Sequence, residues 1–325
     1  LESDIEYFKV QKTEIGSSEK KISKRKTFKN EKIATCYFNA KVLLENNEPA
    51  LAVNLLRFCA SNDSFNSYIL DSLYESLRKS YQLEEAEKVA EQNLNYNYSL
   101  KRCFELANIY FFNDRDEEAL KLYFDCLSNI IEDQLVLFEI YKNMANIYVK
   151  FREFDSAEEY YYKAYQINNS SDLLLVNIGV LEFQKKDLEK SRHCFRRAIE
   201  INNKNDKAWV GLAMTHIEYG DRDLSWGNLI KALDLNSNNK TALILMCQFY
   251  NKTEKNLTCK EYLLKYLEKN NFDEEVSILL IQNLIHAGEY ENAYLESFKN
   301  YIWNPKNEEN KKVYIELKNY LEGAV

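Results

Sequence analysis

The chain has 325 residues, of which 46% are hydrophobic and 14% aromatic, with a net charge of −8. Seven glycines and two prolines are few enough to favour helix throughout. No run approaches the roughly 20 apolar residues that span a bilayer, and an acidic chain does not suit a nucleic-acid backbone.

Residues 1–32 differ from the rest. They hold nine Lys/Arg against six Asp/Glu, a local charge of +3. An apolar stretch at Ile5–Val10 precedes a basic cluster of Lys20, Lys21, Lys24, Arg25, Lys26 and Lys29. This segment reads as a charged linker or extension, with a localisation signal as the alternative. The chain begins with Leu1, not Met, which is expected of a piece of a longer protein.

From residue 33 a period of 34 residues governs the sequence. Ala157, Tyr161 and Ala164 return as Ser191, Phe195 and Ala198, then as Ser225, Leu229 and Ala232, then as Cys259, Leu263 and Tyr266. Units of this length are single supersecondary pieces that bury their apolar faces only by stacking. Positions 4, 7, 8 and 11 of each unit share one face of a first helix. Positions 20, 24 and 27 share one face of a second. Small residues at 8 and 20 let the two helices approach closely, most tightly at Gly179.

In chain order the predicted units are 33–66, 67–99, 100–137, 138–171, 172–205, 206–239, 240–273 and 274–307. The third has a longer tail. The fourth carries Tyr141, Met144, Ala145, Tyr148, Ala157, Tyr161, Ala164 and Asn169 at the eight recurring places. The fifth carries Leu175, Ile178, Gly179, Glu182, Ser191, Phe195, Ala198 and Asn203. Asn-rich unit ends (Asn168–Asn169, Asn202–Asn203, Asn238–Asn239) are expected to stop helices through the left-handed conformation. Residues 308–325 form one more amphipathic helix, with Val313, Tyr314, Leu317, Tyr320 and Leu321 on one side. It is expected to cap the stack.

This pattern resembles the tetratricopeptide repeat family, whose units carry Trp, Leu, Gly, Tyr, Ala, Phe, Ala and Pro at those eight places. The resemblance implies an all-α fold, a right-handed superhelical solenoid of about eight helical hairpins plus a C-terminal capping helix. It also implies a non-catalytic scaffold or adaptor that holds a peptide or helix of another protein in its concave groove. Two alternatives stay open. One is a co-chaperone-like adaptor that captures an acidic C-terminus. The other is the regulatory array of a larger signalling protein or enzyme.

Catalysis has no candidate residues. The histidines are scattered, and no phosphate-binding glycine loop or nucleophile–base set is brought together. No cofactor or metal is expected, because no Cys/His spacing matches a zinc site. Six of the seven cysteines fall at inward repeat positions, where a thiol acts as a small apolar group, and Cys194 falls outside the pattern. Unpaired cysteines point to a reducing, cytoplasmic location.

By the resemblance, one class of array clamps a C-terminal carboxylate with Lys and Asn donors on three consecutive first helices. Lys142, Asn146, Asn177 and Lys207 match four of those places, and Gly211 stands at the fifth. Beside them the groove positions turn apolar, with Val180, Phe183, Met214 and Ile217 at the join. These eight residues are the candidate peptide site: a polar end for orientation and an apolar wall for affinity. The groove of units two and three is expected to be polar, through Asp71, Glu75, Arg78, Lys79, Glu105 and Asn108, interrupted by Phe104, Phe111 and Phe112.

Overall fold

The computed structural model describes residues 28–129, 131–270 and 272–323. Most of the basic cluster, Lys20 to Lys26, lies outside the described residues. Among the described residues there are seventeen helices and no strand. They form two compact units, divided at Glu132 and Asp133.

The first unit holds α1 (Glu31–Glu45), α2 (Pro49–Asn62), α3 (Ser67–Lys79), α4 (Leu83–Tyr96), α5 (Leu100–Phe112) and α6 (Asp116–Leu127). The second holds α7 (Gln134–Lys150), α8 (Phe154–Ile167), α9 (Asp172–Gln184), α10 (Leu188–Ile201), α11 (Asp206–Glu218), α12 (Arg222–Leu235), α13 (Lys240–Tyr250), α14 (Asn256–Lys269), α15 (Glu274–His286), α16 (Tyr290–Trp303) and α17 (Glu308–Gly323). Within each unit consecutive helices pack as antiparallel hairpins, and each hairpin stacks on the next.

The odd-numbered helices from α1 to α15 begin at a side-chain cap. Asn30, Asn66, Ser99, Asp133, Ser171, Asn205, Asn239 and Asp273 each accept a backbone N–H from the first turn. Such caps satisfy donors that a helix start leaves open, at about 1 kcal/mol each. Small residues then let the hairpins close. Ala52, Ala119, Ala157, Ser191, Ser225, Cys259 and Ala293, all at position 20, are fully buried. Ser191 has a polar atom there and donates it to the carbonyl of Gly179 at 2.9 Å.

One expectation needs correction. The Asn residues at unit ends are not left-handed: Asn168, Asn202 and Asn239 have φ of −142, −140 and −72°. The left-handed residues sit instead at the turn inside every hairpin but the seventh. They are Asn47, Tyr81, Asp114, Arg152, Lys186, Gly220 and Gly288. The terminal amides bind the neighbouring unit. Asn202 and Asn205 both donate to Asp172, at 2.7 and 2.9 Å. Asn236 and Asn239 both donate to Asp206, at 2.8 Å. Asn304, Asn307 and Asn310 converge on Glu274. An Asn is therefore useful twice: its oxygen caps one helix and its nitrogen ties that helix to the carboxylate at the start of the previous hairpin.

The longer tail of the third unit becomes helix. Asp133 caps α7, so the extra residues add a first turn ahead of Phe138. The seventh hairpin departs differently. Helix α13 ends at Tyr250, and its turn has no left-handed residue. A buried amide set closes the gap: Asn283 donates to Asn251 at 2.7 Å and to the Asn256 carbonyl at 3.0 Å.

Candidate protein-binding site

The eight predicted groove residues all lie in the second unit, on α7, α9 and α11. The structure commits several of them locally. Lys142 is an ion-pair partner of Glu139 at 2.6 Å and lies 5.5 Å from the Phe138 ring. The Asn146 carboxamide oxygen accepts from Tyr161 Oη at 2.6 Å and from Asn177 Nδ2 at 2.9 Å. Asn146 and Asn177 thus form a rung between neighbouring first helices, fixed by the hydroxyl of a second helix. Lys207 is exposed.

The apolar half separates into floor and wall. Val176 and Val210 are buried, whereas Val180 is 38% exposed. Phe183, Met214 and Ile217 are half-buried. Part of each side chain is seated between helices and part is left open, so the strip is a firm surface of moderate apolar area.

The Tyr–Asn contact was legible in the register. Position 24 is Tyr123 or Tyr161 where position 9 is Asn108 or Asn146, and the bonds are 2.7 and 2.6 Å. In the next two units the same places hold Val180 with Phe195 and Met214 with Leu229. Without a buried hydroxyl to satisfy, no amide is needed at the groove. The change from polar to apolar groove follows from that exchange in the second helices.

Gly211, at the fifth place of the clamp pattern, is accounted for by packing that the spacing did not show. The Phe195 ring occupies the space above both Gly179 and Gly211. A Cβ on Gly179 would meet it at 2.8 Å, and one on Gly211 would overlap it further. No longer donor fits there.

Two buried polar residues sit at position 11. Glu182 is 5% exposed, with one carboxylate oxygen lacking a hydrogen bond. Burial pushes its carboxyl above the usual range, against the pull of Lys185 and Lys190. His216 is buried, and desolvation lowers its pKa.

The first unit has its own groove of about 810 Å³, lined in part by Tyr37, Tyr74, Glu75, Arg78, Glu105 and Phe112. Its charges are largely paired. Arg102 holds Asp71 at 2.7 Å, Lys79 holds Glu75 at 2.8 Å, and Lys101 lies 3.8 Å from Glu105. Phe112 is 77% exposed. Among the described residues no group of His, Cys, Asp and Glu is arranged to hold a metal ion, and no helix is long and apolar enough to cross a membrane.

The tetratricopeptide-repeat family model matches residues 138–171 and 174–205. Over these residues the chain carries tetratricopeptide repeats. Its fold is an all-α repeat solenoid. No curated protein matches it in sequence. A tetratricopeptide repeat protein from Parabacteroides merdae is 15% identical, with a TM-score of 0.58 over 89% of this chain and 100% of that one. The Cut9–Hcn1 hetero-tetramer of the APC/C gives 15% identity and a TM-score of 0.56 over 76% of this chain. The match spans 48% of that chain, about half its length. IFIT1, solved with Gppp-AAAA, gives 16% identity and a TM-score of 0.59 over 89% of this chain and 71% of that one. At these identities the likeness is one of fold. Tetratricopeptide repeats generally mediate protein–protein interaction, and arrays of this family are typically non-catalytic scaffolds.

Proposed function

We propose that the protein is a scaffold or adaptor that binds a peptide or helical segment of a partner protein in the groove of its second unit. The observation that carries this reading is the join between the Asn146–Asn177 rung and the open strip of Val180, Phe183, Met214 and Ile217. An extended or helical segment laid there covers apolar surface on the strip and meets amide and ammonium donors at its polar end. Lys207 and Lys142 supply the charge, and the free N–H bonds of Asn146 supply direction. A clamp for a terminal carboxylate would need a fifth donor at Gly211, where the Phe195 ring leaves no room. The reading is therefore a side-chain acidic group beside an apolar run. Seven free cysteines suit a reducing compartment.

The test is affinity capture with the whole chain, identification of the partner, and titration of variants. Lys142→Ala with Lys207→Ala should weaken binding about tenfold and flatten its salt dependence. Met214→Asp should weaken it with the helical signal intact. Unchanged affinity in both variants would place the contact elsewhere.

A further inference from the structure

In every hairpin but the seventh, the turn holds one residue in the left-handed conformation. Glycine serves at Gly220 and Gly288, and Asn47, Tyr81 and Asp114 serve in the first unit. Glycine, Asn and Asp are the types that tolerate positive φ, and Tyr81 is the uncharged exception. Two consecutive hairpins of the second unit use cations instead: Arg152 at φ 60° and Lys186 at φ 65°. Both line one pocket of about 550 Å³ at the turn edge of α7 and α9, with Lys150, Phe154 and Phe183. None of its lining residues carries a carboxylate, in a chain whose net charge is −8. Lys186 Nζ lies 5.6 Å from the centre of the Phe183 ring and 3.6 Å from Glu218 outside the pocket. A positive, aromatic-walled recess has thus been kept at a backbone position where a long side chain is unfavourable.

We infer that this turn-edge pocket is a binding site for an anionic group carried next to an aromatic or aliphatic side chain on a partner protein segment. The anion, carboxylate or phosphoryl, pairs with Arg152 and Lys186, and the apolar neighbour lies between Phe154 and Phe183. Arg presents a planar fork suited to either anion. The inference rests on the protein-interaction reading and names a chemistry for it, because Phe183 belongs to both the pocket and the groove strip. A segment running along the groove reaches the pocket at its end.

The probe is an acetylated, amidated peptide, Asp-Asp-Phe-Asp-Leu-Asp-Asp, titrated calorimetrically into the whole chain. Its Asn-for-Asp copy and a copy with phosphotyrosine in place of Phe form the other arms. The acidic peptide should bind and the neutral copy should not. Tighter binding of the phosphotyrosine copy assigns the site to phosphoryl; equal or weaker binding assigns it to carboxylate. Arg152→Gly with Lys186→Gly should weaken binding about tenfold. The same change should raise Tm, because glycine suits the left-handed turn, so a loss of binding cannot be ascribed to unfolding. Acidic and neutral peptides binding alike, no saturable binding, or full affinity in the glycine variant overturns the site. The Lys142→Ala, Lys207→Ala variant separates the two readings. If it alone loses the peptide, the pocket fails and the groove stands. If only the glycine variant loses it, the pocket stands and the groove cations fail.

Discussion

The Phe195 ring lies directly over the backbone of Gly211, on the neighbouring hairpin's first helix, where a Cβ would overlap the ring. The same ring closes over Gly179 of its own hairpin, where a Cβ would stand 2.8 Å away. One second-helix side chain thereby sets the approach of two first helices. Phe195 is 1% exposed and belongs to the cluster with Leu175, Ala198, Ala208 and Leu212.

Restoring a donor at Gly211 should therefore damage the fold and build no clamp. Gly211→Lys should cost about 1–3 kcal/mol, the usual range for overpacking. Gly179→Leu should cost a similar amount. Phe195→Leu combined with Gly211→Ala should be less destabilising than the sum of the two, since each relieves the other. Chemical denaturation of the wild type, Phe195→Leu, Gly211→Ala and their combination measures the coupling.

The double use of the unit-end amides predicts a larger loss than a cap alone. Asn239 accepts the Ala242 N–H at 3.0 Å and donates to Asp206 at 2.8 Å. Asn239→Ala should cost about 1–2 kcal/mol. Asn203→Ala, an exposed neighbour in the same type of segment, should stay within about 0.5 kcal/mol. Urea midpoints at neutral pH distinguish the two.

Stability should depend on pH in two windows. Burial depresses the pKa of His216, with Asp221 opposing. The unfolded chain then binds the proton more readily than the native one. Stability is complete above the ordinary histidine value and falls as pH drops below it. His216→Gln should remove the slope between about pH 7.5 and 5.5. Glu274 acts lower. The amides of Asn304 and Asn307 hold its carboxyl below the usual range. Its contribution is present above the ordinary carboxylate value and is lost as pH falls through the lowered one, so Glu274→Gln should flatten the acid limb. Urea midpoints across pH read both.

The cysteines should be slow to alkylate in the native state. Burial pushes Cys59, Cys247 and Cys259 up to about 12 and Cys194 to about 11. A hydrogen bond from Cys126 draws Cys103 the other way, but Cys103 is fully buried. At pH 7.5 iodoacetamide should label the folded chain at less than one site per hour-scale incubation, and all seven cysteines after denaturation. Rapid labelling of Cys103 or Cys259 would show that the hairpins open.

Removing 308–325 should expose the aromatic seam between α16 and α17. Tyr294 and Tyr301 both stack on Tyr314, at 5.5 and 5.3 Å, and Leu317 is buried. The truncated chain should keep most of its helical signal, lose Tm, and aggregate in light scattering, because a stack's end unit loses only its one neighbour. The seam has a polar defect as well. Asn300 is 1% exposed with neither amide atom hydrogen-bonded, so Asn300→Ala should be neutral or stabilising.

The hairpins and their inward residues were legible in the sequence because a 34-residue repeat states the same packing rule many times. Ala157, Ser191 and Ser225 are small for the same reason and are buried as the register requires. The polar-to-apolar change along the groove was legible too, in Tyr161 with Asn146 against Phe195 with Val180, once position 24 is read together with position 9. The unit-end asparagines misled because a single sequence does not tell a helix stop from a helix cap. Their φ values and partners do.

Sequence by itself determined that the chain is an array of helical hairpins, since periodic apolar faces can be buried only by stacking like on like. It also determined which faces turn inward. Tertiary structure decided what the groove residues are free to do. It tied Lys142 to Glu139, spent the Asn146 oxygen on Tyr161 and Asn177, and laid Phe195 over Gly211. It also brought Arg152 and Lys186, one repeat apart, to the same pocket. Periodicity fixes which face a residue occupies. Which neighbour it meets across the hairpins depends on the size and polarity of side chains a repeat away, and only the folded chain brings those together.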